Sequence, residues 1–174
     1  MWETILSGIF AFVPALVANS LAVVFGGGSP MDLGREIGGK RILGDGKTWR
    51  GFIGGGASAG LIGLLLTLTP LSLYSSLWIP FALSYGSMTG DLLGSLVKRR
   101  GGWERGENVP VLDQYDFVLG AFLISIICYP AWTLETYFSG HGYVTLAMLL
   151  VAVPALHRGV NIIGYRMGLK KEPW

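Results

Sequence analysis

Charge is scarce in this chain. Asp, Glu, Lys and Arg make up 14% of its 174 residues, where a soluble domain carries about 25%. With 51% hydrophobic residues and a mean hydropathy of +0.53, that shortage excludes an ordinary water-soluble globule. Cysteine is nearly absent too. Cys128 stands alone in an apolar run, so the chain closes no internal disulfide and builds no zinc site from several thiolates. His141 and His157 are the only histidines, which excludes a His-rich metal centre. The opening MWETIL lacks the basic n-region of a cleavable signal peptide, and the apolar stretch it begins is long enough to span, so no cleaved leader is expected. There is no repeat at solenoid periods and no low-complexity tail.

What is present is a series of long apolar stretches. Five approach the roughly 20 residues needed to cross a bilayer: about 4–25, 51–69, 77–97, 115–137 and 142–163. The expectation is an all-α integral membrane protein, a single domain over 1–174 with five transmembrane helices. The linkers TPLSLYSSLW and FSGHG are short and hold no Lys, Arg, Asp or Glu. The connections 26–50 and 98–114 are different, Gly-rich and densely charged. All 13 Lys and Arg residues fall in three regions. Arg35, Lys40, Arg41, Lys47 and Arg50 lie in the first loop; Lys98, Arg99, Arg100 and Arg105 lie in the second. Arg158, Arg166, Lys170 and Lys171 lie at or after the end of the fifth span. Five spans put all three regions on one side, which the positive-inside rule assigns to the cytoplasm, with the N-terminus outside and the C-terminus cytoplasmic. Gly51/Gly55, Gly56/Gly60 and the stripe Gly86, Gly90, Gly94 predict closely approaching helices.

The charged loops contain two false leads. GDGKT (44–48) suggests a P-loop, but that pattern requires Gly where Arg41 stands. GGGSPM fails the dinucleotide fingerprint because position 31 is Met. The first loop still suits an anion: its glycines allow close backbone approach, and Lys47 and Arg50 bring charge. The segment Lys47-Thr48-Trp49-Arg50, at the entrance of the second span, reads as functional. Arg35, Lys40 and Arg41 fit a solvated loop equally well.

Asp91 lies inside the third span, where an ionisable group is costly and by default functional. Ser87, Asp91, Ser95 and Lys98 share one helical face. The bland alternative is an Asp91–Lys98 pair that tidies the helix end. Asp113 and Asp116 precede the fourth apolar run at i, i+3. Either could cap a helix, but a cap explains one acid, not two, and leaves Asp91 unexplained. Three carboxylates at the membrane edge suit a hard cation such as Mg²⁺. Lys47, Arg50, Lys98 and Arg99 would hold phosphate charge beside it. That combination points to metal-assisted phosphoryl or nucleotidyl transfer. The rival classes are a small transporter with Asp91 on an ion path, and an inert anchor.

DLLGSLVKRR followed by PVLDQYD resembles the signature of the CDP-diacylglycerol synthases, the phosphatidate cytidylyltransferases. The matches are Asp91, Ser95, Lys98, Arg99, Pro110, Asp113 and Asp116, and GKTWRG resembles that family's Lys-Thr-x-Glu-Gly segment. Gln114 stands where the family has Arg, Arg50 where it has Glu, and the His-Gly-Gly of the family loop is missing. The stretches SPMDLGREIGGKRILGDGKTWRGFIGG, GDLLGSLVKRRGGWERGENVPVLDQYDF and HRGVNIIGYRMGLK are similar to the archaeal branch, the CDP-archaeol synthases. That resemblance covers all five spans and both loops.

It implies CMP transfer from CTP to 2,3-bis-O-(geranylgeranyl)-sn-glycerol 1-phosphate with Mg²⁺ required. It further implies Asp91, Lys98, Asp113 and Asp116 as catalytic residues and Asp91, Asp113 and Asp116 as metal ligands. Lys47, Thr48, Arg50, Ser87, Ser95, Arg99 and Gln114 would bind substrate, with Asp32, Asp45 and Gly46 near the cytidine and Asn161 as a further polar contact. The expected partners are CTP, an isoprenoid ether-lipid phosphate and membrane lipids, with no nucleic acid. The expected location is the cell membrane, multi-pass, with the active site facing the cytoplasm. No motif reads the lipid tails, so an ester-linked phosphatidate remains the alternative substrate, and the oligomeric state is open.

Overall fold

A computed structural model describes residues 2–103, 107 and 109–168, apart from the side chains of His157, Val160 and Asn161. Of the charge map, Arg105, Lys170 and Lys171 lie outside the described residues. The elements run α1 (Trp2–Ala11), α2 (Val13–Val24), β1 (Glu36–Ile37), β2 (Lys40–Arg41), α3 (Trp49–Leu66), α4 (Ile79–Gly101), α5 (Pro110–Cys128), α6 (Pro130–Tyr137) and α7 (Gly142–Arg166).

Proline and glycine punctuate these helices. Proline occupies the first turn of α2, α4, α5 and α6, where a missing N–H costs nothing. Gly102, at φ 94°, ends α4 in the left-handed conformation that glycine adopts without a Cβ penalty. Gly38 and Gly39, at φ 63° and 74°, make the tight turn of the β1–β2 hairpin.

Among the described residues, three helical segments are long and apolar enough to cross a membrane: Trp2–Val24, Trp49–Leu66 and Pro110–Cys128. A fourth arises if the pair Pro130–Tyr137 and Gly142–Leu156, bent by 81°, counts as one broken span. The chain is therefore a mostly helical, multi-pass membrane protein. Helix α4 has the length, 23 residues, but its charges and small polar residues keep it below that apolarity. It lies among α2, α3 and α5.

The expected span 115–137 is not one helix. It begins earlier, at Pro110, and stops at Cys128, because Pro130 has no amide to continue the ladder. The expected loops are shorter as well: residues 98–101 finish α4, 110–114 open α5, and Trp49 and Arg50 open α3.

Close glycine contacts set the topology. A Cβ at Gly55 would fall 2.8 Å from that of Ala22, and one at Gly63 would fall 2.5 Å from the Pro14 ring, so α3 runs antiparallel to α2. Gly56 meets Tyr85 and Gly63 meets Pro80, so α4 is antiparallel to α3 and parallel to α2. Gly86 lies against Gly120 and Ala121, and Gly90 lies against Asp116, so α5 is antiparallel to α4. Between lipid-embedded helices such contacts gain mainly dispersion and interhelical hydrogen bonds. Ser84 Oγ donates to the Gly56 carbonyl at 2.9 Å and Ser87 Oγ to the Ala15 carbonyl at 2.8 Å.

At the end away from the charged loops, Phe12, Phe122, Trp132 and Tyr137 form the aromatic core, with Phe12 and Phe122 stacked at 5.0 Å. Both polar tips find acceptors there: Tyr137 Oη donates to the Gly8 carbonyl and Trp132 Nε1 to the Leu73 carbonyl. The topology brings the start of α3, the end of α4 and the start of α5 to the opposite end.

Candidate functional site

The first loop is organised around Asp32, whose side chain is fully buried. Arg41 donates to both of its oxygens, at 2.6 and 3.2 Å. The amides of Leu43 and Gly44 reach Oδ2 at 3.0 Å each, and the amide of Gly34 reaches Oδ1 at 3.1 Å. The Arg41 guanidinium, then the Leu43, Gly44 and Gly34 amides, hold the carboxyl well below the usual carboxylate range against the cost of burial. Asp32, then Asp45, raise Arg41 above its own ordinary value. With five donors on its two oxygens, Asp32 holds the loop in shape and offers no free acceptor to a cytidine. The expected contact of Asp32 with a cytidine would compete with these bonds. Asp45 takes Arg41 as its partner as well, and Gly46 lies in the turn leading to Lys47.

Residues 29–31 pair with 47–49: the Met31 amide donates to the Lys47 carbonyl at 2.8 Å and the Trp49 amide to the Ser29 carbonyl at 3.2 Å. This pairing fixes Lys47 at the threshold of α3. Thr48 is the N-cap, its Oγ1 accepting from the Gly51 amide at 3.1 Å. Its hydroxyl oxygen thus serves the helix, and its O–H can still donate to a ligand. The stem of Arg50 packs over Gly28. Among the described residues, the Arg50 guanidinium has no hydrogen bond or ion pair. A cation in the first turn of a helix opposes the macrodipole, which leaves that position suited to a bound anion.

Two lysine–aspartate pairs join the first loop, α4 and α5. Lys47 of the first loop binds Asp91 of α4, and Lys98 of α4 binds both oxygens of Asp113 on α5, each at 3.0 Å. The sequence-based alternative of an Asp91–Lys98 pair does not form. Lys98 also donates to the Glu107 carbonyl. Asp113 lies in the first turn of α5, whose N-cap is Val109; its Oδ2 accepts from the Val109 amide at 3.0 Å, so neither acid is the N-cap residue of the bland reading. Asp116 rests over Gly94, where a Cβ would fall 2.0 Å from its Oδ2. Its Oδ1 accepts from the Phe117 amide at 2.6 Å, and the charges of Asp91, Lys47 and Asp113 all reach it.

The structure thus brings together Lys47, Asp91, Lys98, Asp113 and Asp116. Other residues expected to bind substrate have partners within the fold. Ser87 is buried on the Ala15 carbonyl, Ser95 bonds back to the Asp91 carbonyl at 2.9 Å, and Arg99 reaches the Trp103 carbonyl at 2.7 Å. Gln114 is half-buried on α5 with no hydrogen bond among the described residues. The side chain of Asn161 lies outside the described residues. Arg41 is the partner that sequence reasoning left undecided; its charge four residues before Asp45 was the available signal.

The donor set suits a hard cation in kind: carboxylate oxygens, one on Asp91 without a hydrogen bond among the described residues, beside Asp116. The same acids are engaged with lysines, and among the described residues no three Asp, Glu, His or Cys side chains gather as one close cluster.

Comparison with known proteins agrees over the full length. The family described as CarS-like CDP-archaeol synthase matches residues 1–174. A CDP-archaeol synthase of Archaeoglobus fulgidus is 43% identical over 100% of both chains. One of Picrophilus torridus is 42% identical over 98% of this chain and 97% of its own. A solved structure, presented as structural insight into an intramembrane enzyme for archaeal membrane lipids biosynthesis, is 38% identical, with a TM-score of 0.61 over 85% of this chain and 93% of that one. These matches run through both charged loops and the helices that carry the lysine–aspartate pairs, and on them the chain belongs to the CDP-archaeol synthase family.

Proposed function

We propose that this chain is a membrane cytidylyltransferase that transfers CMP from CTP to 2,3-bis-O-(geranylgeranyl)-sn-glycerol 1-phosphate, forming the CDP-lipid and pyrophosphate. The observation that carries the reading is the convergence of Lys47–Asp91 and Lys98–Asp113 around Asp116 at one end of the helices. The full-length family match supports it.

The lipid phosphate is already an anion near neutral pH and needs little help from a base. One of its oxygens forms a bond to the α-phosphorus of CTP as the bond from that phosphorus to the departing pyrophosphate breaks in line. The protein's task is to bring two polyanions together and offset the developing charge. Lys47 and Arg50 approach from the first loop, Lys98 from α4. Asp91 and Asp116, with Asp113 at the rim, are the residues that would hold Mg²⁺, which supplies positive charge against the triphosphate when bound. The site faces the cytoplasm in a five-span arrangement, with α4 crossing inside the bundle and α6–α7 as the last, bent crossing. The isoprenoid chains lie between helices while the phosphate reaches the charged end.

The test is direct. Purified protein in detergent receives CTP, Mg²⁺ and either the ether-linked or the ester-linked lipid phosphate, and CDP-lipid and pyrophosphate are counted. Product that requires CTP and metal and favours the ether lipid is expected. Product with the ester lipid alone would keep the chemistry and change the substrate. No product with either, from folded protein, would overturn the proposal.

A further inference from the structure

Asn19, half-buried, lies on the inward stripe of α2 with the buried Ala15 and Ala18 and the half-buried Ala22. Its Oδ1 is one of two buried side-chain polar atoms without a hydrogen bond among the described residues. The other is Thr145 Oγ1, which packs against Gly8 away from the site. A buried acceptor without a donor is costly, and a polar side chain within a span is by default read as functional.

Position says what Asn19 faces. Ser87 of α4 donates to the Ala15 carbonyl at 2.8 Å, and Met88 packs with Ala18. Helices α2 and α4 run parallel. Asn19 is four residues beyond Ala15, and Asp91 is four residues beyond Ser87 in the same direction, about 6 Å along each axis. Both side chains lean back toward their N-termini. Asn19 and Asp91 therefore stand at the same level on facing stripes.

Of what the reaction brings to this depth, the lipid phosphate and the triphosphate present acceptor oxygens, which an amide oxygen does not satisfy. A hard cation seeks such an oxygen and combines amide carbonyls with carboxylates. We infer that Asn19 is a metal-ligating residue of this enzyme, a neutral oxygen donor across from Asp91. This inference rests on the proposed metal-dependent transfer.

The test measures Mn²⁺ binding by electron paramagnetic resonance on full-length protein in detergent with CTP, against CTP alone. The wild type, Asn19→Leu and Asn19→Asp are compared, with thermal midpoints taken in parallel. Leucine is close to asparagine in shape and removes the orphaned oxygen. The expected result is an Asn19→Leu protein at least as heat-stable as the wild type with Mn²⁺ affinity reduced about tenfold, the low end for lost metal contacts. The Asn19→Asp protein should bind at least as tightly as the wild type. An Asn19→Leu affinity within twofold of the wild type would overturn this inference and leave the proposed function standing. A wild type that holds no Mn²⁺ beyond what CTP holds would overturn the metal dependence itself. If Asn19→Leu does not fold, the Asp variant decides: binding weaker than wild type sinks the assignment.

Discussion

Single side chains divide here into those that hold the scaffold and those left for the ligand. Asp32 is of the first kind. Its folded pKa is depressed, so the stability it contributes is present above the usual carboxylate value of about 4 and is lost as pH falls through the folded value. The protection of the Leu43 and Gly44 amides, relative to their intrinsic exchange at the same pH, should therefore fall progressively below about pH 4 before the helices open. An Asp32→Asn protein should show fast exchange there already at neutral pH; protection equal to the wild type would count against the hub. On the proposed function, Asp116 is of the second kind. An alanine Cβ at position 94 would fall 2.0 Å from its carboxylate, and overpacking of this sort costs about 1–3 kcal/mol. Gly94→Ala should displace Asp116 and lower turnover at least 10-fold, a loss read in the same CDP-lipid assay beside a thermal melt. Unchanged turnover in a folded Gly94→Ala protein would remove Asp116 from the active set.

At the scale of elements, the candidate site is set by the start of α3, the end of α4 and the start of α5. The Thr48 hydroxyl caps α3, and losing such a cap costs about 1 kcal/mol. Thr48→Ala should lower stability by that amount in a denaturant or thermal titration, with Thr48→Ser near wild type. A far larger fall in activity than in stability for Thr48→Ala would assign the hydroxyl to substrate instead. The glycine stripe of α4 brings α5 close enough for Asp116 to reach the Asp91–Lys47 pair. Pro130 then ends α5 and sends the chain into α6. Hydropathy is blind to that break because the residues on either side of Tyr129 are uniformly apolar, so the stretch 115–137 reads as continuous.

For the whole molecule the question is orientation. The described charged loops share one end, and the linkers without charge share the other. In a Cys128→Ser background, a cysteine at Gly38 should react with a membrane-impermeant maleimide only from the cytoplasmic side, and one at Ser75 only from the outside. Labelling of both from one side would break the five-span arrangement. The reverse pattern would invert it and move the site away from cytoplasmic CTP.

Composition and the distribution of 13 cations were enough to establish a helical membrane protein with its basic residues gathered in three regions, because hydropathy and charge act one residue at a time. Spacing also singled out Asp91, Lys98, Asp113 and Asp116, since an acid or base beside an apolar run is costly wherever the helices go. Which lysine meets which acid depended on the tertiary structure. Lys98 and Asp91 share a helical face, yet Lys98 turns to α5 and Lys47 crosses from the first loop, a choice set by the close approach of α4 to α5 at Gly90 and Gly94. The same applies to Asp32, Thr48 and Ser87, polar residues whose partners are backbone groups that no motif encodes. Asn19 carried a readable signal, an amide inside a span, but only the parallel packing of α2 on α4 sets it level with Asp91.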